Sequence, residues 1–151
     1  MTVPVSAPHN AEVRSGAERL LSEASDLIRH RRIAVLTNQT GILPDGTSII
    51  DAIFRTKIAK VVALFSPEHG LVGNIPDGSA VEHARHPEYR IPIYSLYGST
   101  HKPTPSMLKD VDVLVCDVQD VGARFYTYIS TLALAVEAAA EHRVRCVILD
   151  R

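Results

Sequence analysis

The sequence contains few cysteines, and this scarcity bears on how the fold is stabilised. Cys116 and Cys146 are the only two in 151 residues. Each lies within an apolar run of β-like composition, where a cysteine usually behaves as a small buried hydrophobe. We therefore expect two buried thiols rather than a disulfide or a pair of metal ligands.

An excess of one charge and a long apolar segment are also missing. Sixteen basic residues against seventeen acidic ones give a formal charge of -1, and no run of Lys or Arg forms a basic stripe. The longest apolar stretches, such as 60–65 and 111–116, are far shorter than the roughly 20 residues that a bilayer requires. We expect neither nucleic acid nor a membrane as a partner.

Several motifs of cofactor-dependent enzymes are missing as well. No G-x-G-x-x-G follows the first predicted strand and no G-x-x-x-x-G-K-[ST] occurs, so a nucleotide cofactor is not supported. The absence of H-E-x-x-H and C-x-x-C leaves a metal site only by assembly across loops. No G-x-S-x-G elbow marks a hydrolase triad. We predict that the protein uses no cofactor and no metal.

The N-terminal residues 1–14 are polar and rich in Pro, Ser and Ala. They lack the basic start and apolar centre of a secretory signal, so we expect a mobile leader and a cytoplasmic location. The remaining residues, 15–151, have the length of one ordinary domain. The chain ends directly after a predicted strand, which we interpret as a truncation.

Short apolar runs alternate with helical periodicities along the domain. The runs predict five strands, and the periodicities predict helices from Ser15 to about His30, over 47–56, over 104–109 and from Ile129 to about His142. The strands lie at 33–37, 60–65, 91–96, 111–116 and 145–149. This order predicts an α/β fold, a doubly wound and mainly parallel sheet of about five strands with helices on both faces. Residues 68–90 form a long irregular excursion of a kind usually kept for function.

Polar side chains follow every predicted strand. Ligands of such folds bind outside the carboxyl ends of the strands. The polar set there is Asn38, Gln39, Ser66, Glu68, His69, Tyr97, Asp117, Gln119, Asp120, Asp150 and Arg151. Any one of them could simply belong to a solvated loop, but Glu68, His69 and Gln119 have no special turn chemistry. Glu68 and His69, with Asp117 and Asp120 from another strand end, favour general acid or base chemistry.

Several long blocks of the sequence also resemble the sequences of a known protein family. They are LTNQTGILPDGTSIIDAIF, VVALFSPEHGLVG, IPIYSLYGSTHKPTPSMLKDVDVLVCDVQDVGARFYTYISTLALAVEAAAE and VILDR. In content and order, over about 33–151, they resemble the bacterial DUF1343 (NamZ) family. The resemblance implies the Rossmann-like N-terminal domain of an exo-β-N-acetylmuramidase, which releases non-reducing terminal N-acetylmuramic acid from peptidoglycan fragments.

The resemblance also implies a missing C-terminal domain of the same protein, because family chains continue past the L-D-R block. Family members are in some cases exported. The exposed fifth strand favours self-association. The peptidoglycan-derived saccharide and the missing domain are thus the expected partners.

The intact S-P-E-H-G and D-[IV]-Q-D-V-G-x-R-F-Y-T-Y blocks assign roles. We expect Glu68 to be the general acid, with Asp120 or Asp117 as the second carboxyl group. Arg124 either binds the lactyl carboxylate of muramic acid or forms a structural ion pair with Asp117 or Asp120. The predicted catalytic residues are Glu68, His69 and Asp120, and the predicted substrate-binding residues are Asn38, Gln39, Tyr97, Asp117, Gln119, Arg124, Tyr126, Tyr128 and Arg151.

Two other functional classes stay open from the residues alone. One is a binding module that holds a sugar or nucleotide on a Rossmann-like scaffold without turning it over. The other is a metal-dependent hydrolase that uses His69, Glu68 and Asp117. Release of free N-acetylmuramic acid separates the enzyme from the binder, and sensitivity to chelators identifies the metalloenzyme.

Overall fold

A computed structural model describes residues 13–76, 78–79 and 83–150. Its strands are β1 (Arg32–Thr37), β2 (Lys60–Ser66), β3 (Ala84–Arg85), β4 (Pro92–Ser95), β5 (Val113–Asp117) and β6 (Arg145–Ile148). They form one sheet in the order β3-β4-β2-β1-β5-β6. The neighbouring strands pair in parallel except for β3 and β4, which are antiparallel.

Helices cover both faces of this sheet. They are α1 (Gly16–Leu21), α2 (Ile49–Thr56), α3 (Pro105–Leu108) and α4 (Tyr128–Glu141). Because side chains alternate along a strand, β1 contributes to two cores. Ile33 and Val35 pack with α1 and α2 in one, and Ala34 and Leu36 pack with α3 and α4 in the other. The predicted doubly wound α/β fold is confirmed.

The strand order also identifies the edge where a ligand would bind. From β1 the chain builds the sheet outward through β2 and β4, and it then returns to place β5 on the other side of β1. This reversal is the topological switch point of doubly wound folds, where a crevice opens at the carboxyl ends of the strands. The loops after β1, β2, β4 and β5 all emerge there.

The first predicted helix is wrong in its second half. Ser15 begins α1 with the expected capping box to Glu18, but the helix ends at Leu21. The chain turns and then forms a short 3-10 helix, Ser25–Leu27. Ile28 is nevertheless fully buried. The apolar periodicity therefore predicted its burial correctly, although the backbone is not continuously helical.

Smaller differences concern the edges of the sheet. The sixth strand, β3, has two residues within the predicted irregular excursion and was not predicted because it is too short to carry a pattern. Cys116 is buried as expected, whereas Cys146 on the edge strand β6 is only partly buried, and their sulfur atoms are 3.9 Å apart without a disulfide. Self-association through that edge stays a prediction. Among the described helices, none has the length and apolar character needed to cross a bilayer.

Candidate active site

A cleft of about 270 Å³ opens at the carboxyl edge of the sheet. Its walls come from the loop after β2, the loop after β4 and the segment that enters α4. The lining residues are Glu68, His69, Tyr97, Phe125, Tyr126, Thr127 and Tyr128. Five of these seven were predicted from the sequence as site residues. Residues predicted from their positions after different strands therefore line the same cavity.

Glu68 is the acidic residue of this cleft, and both of its carboxylate oxygens are hydrogen-bonded. The Thr127 hydroxyl donates to Oε2 at 2.7 Å. The Gly78 backbone N–H donates to Oε1 at 3.1 Å. Tyr97 adds a further side-chain hydrogen bond. The carboxyl group is therefore held in a fixed orientation while the side chain remains only partly buried.

These donors set the charge of Glu68. Burial raises the pKa of its carboxyl group, because a charged form is costly in a less polar environment. The hydrogen bonds that it accepts, first of all from Thr127, outweigh burial and bring the pKa below its usual value. Glu68 is accordingly a carboxylate at neutral pH.

His69 adopts a backbone conformation that is uncommon for a residue with a side chain. Its φ is 69°, in the left-handed region, and Gly70 follows with φ of 75°. The Nδ1 atom lies 2.9 Å from the carbonyl oxygen of Ile75. Since a carbonyl only accepts, the ring donates from Nδ1. This hydrogen bond joins His69 to Ile75 and so stabilises the loop that follows Glu68.

Tyr97, Tyr126 and Tyr128 were predicted to bind substrate, and the structure gives them different environments. Tyr126 and Tyr128 contact edge to face, with ring centroids 4.7 Å apart. Tyr128 is only 2% exposed, so it forms the floor of the cleft rather than an open face. Its hydroxyl lies near Asn38 and Gln39 but makes no hydrogen bond of good geometry with any described residue.

Asn38 and Gln39 lie behind this floor and connect loops. Asn38 Oδ1 accepts from the backbone N–H and the hydroxyl of Thr40, and the Thr40 hydroxyl in turn accepts from the Gln119 N–H. Gln39 packs against Gly73, where φ is +73° and a Cβ would lie 2.5 Å from the Gln39 side chain. The loops after β1, β2 and β5 are thus locked together, and both residues line a second depression of about 290 Å³.

The first part of the loop after β5, before Phe125, contributes less to the cleft than predicted. Asp117 is fully buried at the end of β5, where its carbonyl oxygen accepts from the Thr37 hydroxyl at 2.8 Å. Gln119, Asp120 and Arg124 are exposed and do not line the cleft. The ion pairs among the described residues do not include one between Arg124 and Asp117 or Asp120. Arg151 lies outside the described residues.

Two cleft residues were not predicted, Phe125 and Thr127. Phe125 is 87% exposed although it is a large apolar side chain. Thr127 directly precedes α4 and donates to Glu68. Both lie inside the R-F-Y-T-Y block, but the direction in which a side chain points at a loop–helix junction depends on backbone geometry that pattern does not reveal.

The described residues also show no preformed metal site. Within that part of the chain, no group of three or more His, Cys, Asp or Glu side chains is arranged to hold an ion. Asp117, which a metal-dependent hydrolase would need beside Glu68 and His69, does not line the cleft. The cleft combines a single carboxylate with one imidazole and with hydroxyl and aromatic groups.

Together these features define a Rossmann-like α/β domain whose cleft at the switch-point edge contains a hydrogen-bonded carboxylate. The family model for "Exo-beta-N-acetylmuramidase NamZ, N-terminal" matches residues 33–151. The chain belongs to this family.

Individual relatives agree with that assignment. The chain is 43% identical over 140 residues to the peptidoglycan beta-N-acetylmuramidase NamZ of Bacillus subtilis (strain 168), covering 93% of this chain and 34% of that protein. It superposes on crystal structures of two DUF1343 family proteins from Bacteroides fragilis NCTC 9343, with TM-scores of 0.82 and 0.73 at 42% and 35% identity. Each alignment covers 91% of this chain and 34% of the other. The chain therefore spans about a third of the length of these relatives.

Proposed function

We propose that this chain is the N-terminal part of an exo-β-N-acetylmuramidase that releases non-reducing terminal N-acetylmuramic acid from peptidoglycan fragments. The observation that carries the proposal is the Glu68 carboxylate, held in a cleft at the switch-point edge of a chain that belongs to the NamZ family. Glycoside hydrolysis needs two carboxyl groups and water, so the proposed reaction requires no cofactor.

In this proposal Glu68 is the general acid that protonates the leaving glycosidic oxygen. Its hydrogen bonds lower the pKa of Glu68 and favour the carboxylate, so the proton must be taken up before the bond breaks. Burial is the largest single influence on the Glu68 pKa and acts upward. A bound sugar that expels water from the cleft would strengthen this influence. Substrate binding would thus raise the pKa toward that of a working acid.

The test is the release of N-acetylmuramic acid from a defined disaccharide by the full-length protein. Glu68→Gln keeps the size of the side chain and removes its proton chemistry, and we expect a loss of at least about a hundredfold in kcat. Glu141→Gln is the matched control, because Glu141 lies at the far end of α4 and pairs with Lys102. Near-normal turnover by Glu68→Gln contradicts the assignment.

The same assay separates the competing classes. A sugar-binding module would bind the disaccharide without releasing any monosaccharide. A metal-dependent hydrolase would lose activity with a chelator and regain it with the ion. Release that continues in the chelator and disappears in Glu68→Gln is the result that our proposal requires.

The second catalytic carboxyl group is proposed to be Asp120 or Asp117, with His69 assisting. Asp120 is the more accessible of the two, on an exposed loop, whereas Asp117 is fully buried beneath it. Retaining glycosidases separate the two carboxyl groups by about 5 Å and inverting ones by roughly 6.5 to 9.5 Å. Because Asp120 does not line the cleft, it would have to approach Glu68 when the substrate binds.

The rest of the protein is proposed to cover the apolar rim of the cleft. This rim consists of Val121, Phe125 and Ile129, which are 62%, 87% and 59% exposed. Phe125 lines the cleft, and Val121 and Ile129 lie four residues before and after it in the sequence. Exposed apolar patches mark interaction surfaces. This chain covers 34% of the length of its relatives, so most of each relative lies outside the matched part. A further domain that packs on the rim would complete the cleft from the other side.

A further inference from the structure

Thr127 occupies the position before α4 without serving that helix as a cap. A threonine at this position normally has an extended backbone and accepts a hydrogen bond from the first turn through its hydroxyl oxygen. Here φ is -86° and ψ is -14°, in the right-handed helical region, and the side chain makes no capping hydrogen bond. The hydroxyl group is therefore available for another partner.

That partner is Glu68, which is 59 residues away in the sequence. Thr127 Oγ1 lies 2.7 Å from Glu68 Oε2, a length typical of a hydroxyl that donates to a charged carboxylate. A hydroxyl has one proton, and an ionised carboxylate can only accept. The direction of the bond is therefore fixed from Thr127 to Glu68.

The other oxygen of Glu68 is held independently. The Gly78 N–H donates to Oε1 at 3.1 Å from the loop that follows Glu68. Two donors on two oxygens fix the rotation of the carboxyl group about its last bond. Without the Thr127 hydroxyl, Oε2 would lose its donor at 2.7 Å, and the carboxyl group would depend on the Gly78 N–H and the Tyr97 side chain alone.

We propose that Thr127 is a positioning residue, which orients the Glu68 carboxyl group in the cleft. This inference rests on the proposed function, in which Glu68 acts on the substrate. Thr127 acts through Glu68 and is not itself a catalytic residue. It would keep the carboxylate oriented until the sugar displaces water and the proton is taken up.

The test compares Thr127→Val, which keeps the shape and removes the donor, with Thr127→Ser, which restores the hydroxyl. The pKa of Glu68 is measured by following the labelled side-chain carboxyl carbon by NMR. Loss of a donor to a charged acceptor should raise that pKa by about one unit in Thr127→Val, and Thr127→Ser should return it close to the wild-type value. Thr127→Ala serves as the donor-free variant if the valine protein does not fold.

The matched control is Thr131→Val, one turn further along α4, whose hydroxyl contacts the Thr127 carbonyl oxygen and not Glu68. It should leave the pKa of Glu68 unchanged. An equal pKa in Thr127→Val and Thr131→Val overturns the proposal. This measurement does not depend on turnover, so it is separate from the failure of the proposed function, which an active Glu68→Gln enzyme would reveal.

A kinetic experiment tests the same role in catalysis. In the full-length protein, the limb of the kcat/KM pH profile that Glu68 controls should move to higher pH in Thr127→Val, by the same amount as the NMR pKa, and return in Thr127→Ser. A structural role alone would lower the amount of active enzyme and leave the limbs in place. Unmoved limbs overturn the positioning role.

Discussion

Asp120 has a structural contact that must be separated from its proposed catalytic role. Its Oδ1 accepts from the Gly122 N–H at 2.7 Å, the bond of an Asx turn, in which an aspartate stabilises its own loop. Gly122 follows with φ of +71°. A loss of activity after deletion of the side chain could thus come from a disturbed loop, so the substitution has to preserve the turn.

Asp120→Asn meets this requirement, because the asparagine oxygen can accept the same bond from Gly122. If Asp120 is the second carboxyl group, we expect kcat/KM to fall at least about a hundredfold with an unchanged melting temperature. Asp120→Ala should lose both activity and loop stability. Wild-type kcat/KM in Asp120→Asn would assign the residue to the turn alone and direct the search for the second carboxyl group elsewhere in the protein.

Arg124 is proposed to recognise what distinguishes muramic acid from glucosamine, the lactyl carboxylate. Its guanidinium is exposed and forms no ion pair with the described acidic side chains, so it can bind a carboxylate bidentately. Arg124→Ala should lower kcat/KM for a muramide by about 10- to 100-fold, as for a lost hydrogen-bonded charge, and spare the matching glucosaminide. Arg145→Ala, at the opposite edge of the sheet, is the control. Equal losses on both substrates would contradict a role in specificity.

At the level of elements, burial was easier to predict than backbone path. The central strands β1, β2 and β5 are buried on both faces and therefore appear in the sequence as uninterrupted apolar runs. The segment after Leu21 keeps helical spacing of apolar residues, yet the backbone leaves the helix there. Periodicity records which side chains face the core, and a short break can preserve that pattern.

The site was predictable to the extent that topology controls it. Residues after parallel strands must emerge at one edge, which brings Glu68, His69 and Tyr97 to the same cleft. In the loop after β5, by contrast, Gln119, Asp120 and Arg124 are exposed and do not line the cleft. Thr127 was not predicted, because its hydroxyl donates a hydrogen bond to Glu68 in another loop and does not cap its own helix.

At the scale of the whole molecule, the chain combines two well-formed cores with an apolar rim that nothing described covers. The sheet is packed on both faces by its own helices. The rim residues Val121, Phe125 and Ile129 are instead exposed beside the cleft. We propose that the rim serves the assembly of the active site and contributes little to the stability of this domain.

The double substitution Phe125→Ser with Ile129→Ser tests this proposal. In the chain alone both side chains are already exposed, so we expect the free energy of unfolding to change by no more than about 0.5 kcal/mol. If the rest of the full-length protein covers the rim, we expect its free energy of unfolding to fall by about 1.5 to 3 kcal/mol for each of the two side chains that is buried there. Chemical denaturation of the two forms measures both values, with Val13→Ser, 94% exposed and outside the rim, as the control. Equal, small effects in both forms would mean that the rest of the protein does not dock on this rim, and the cleft would then have to work with one open side.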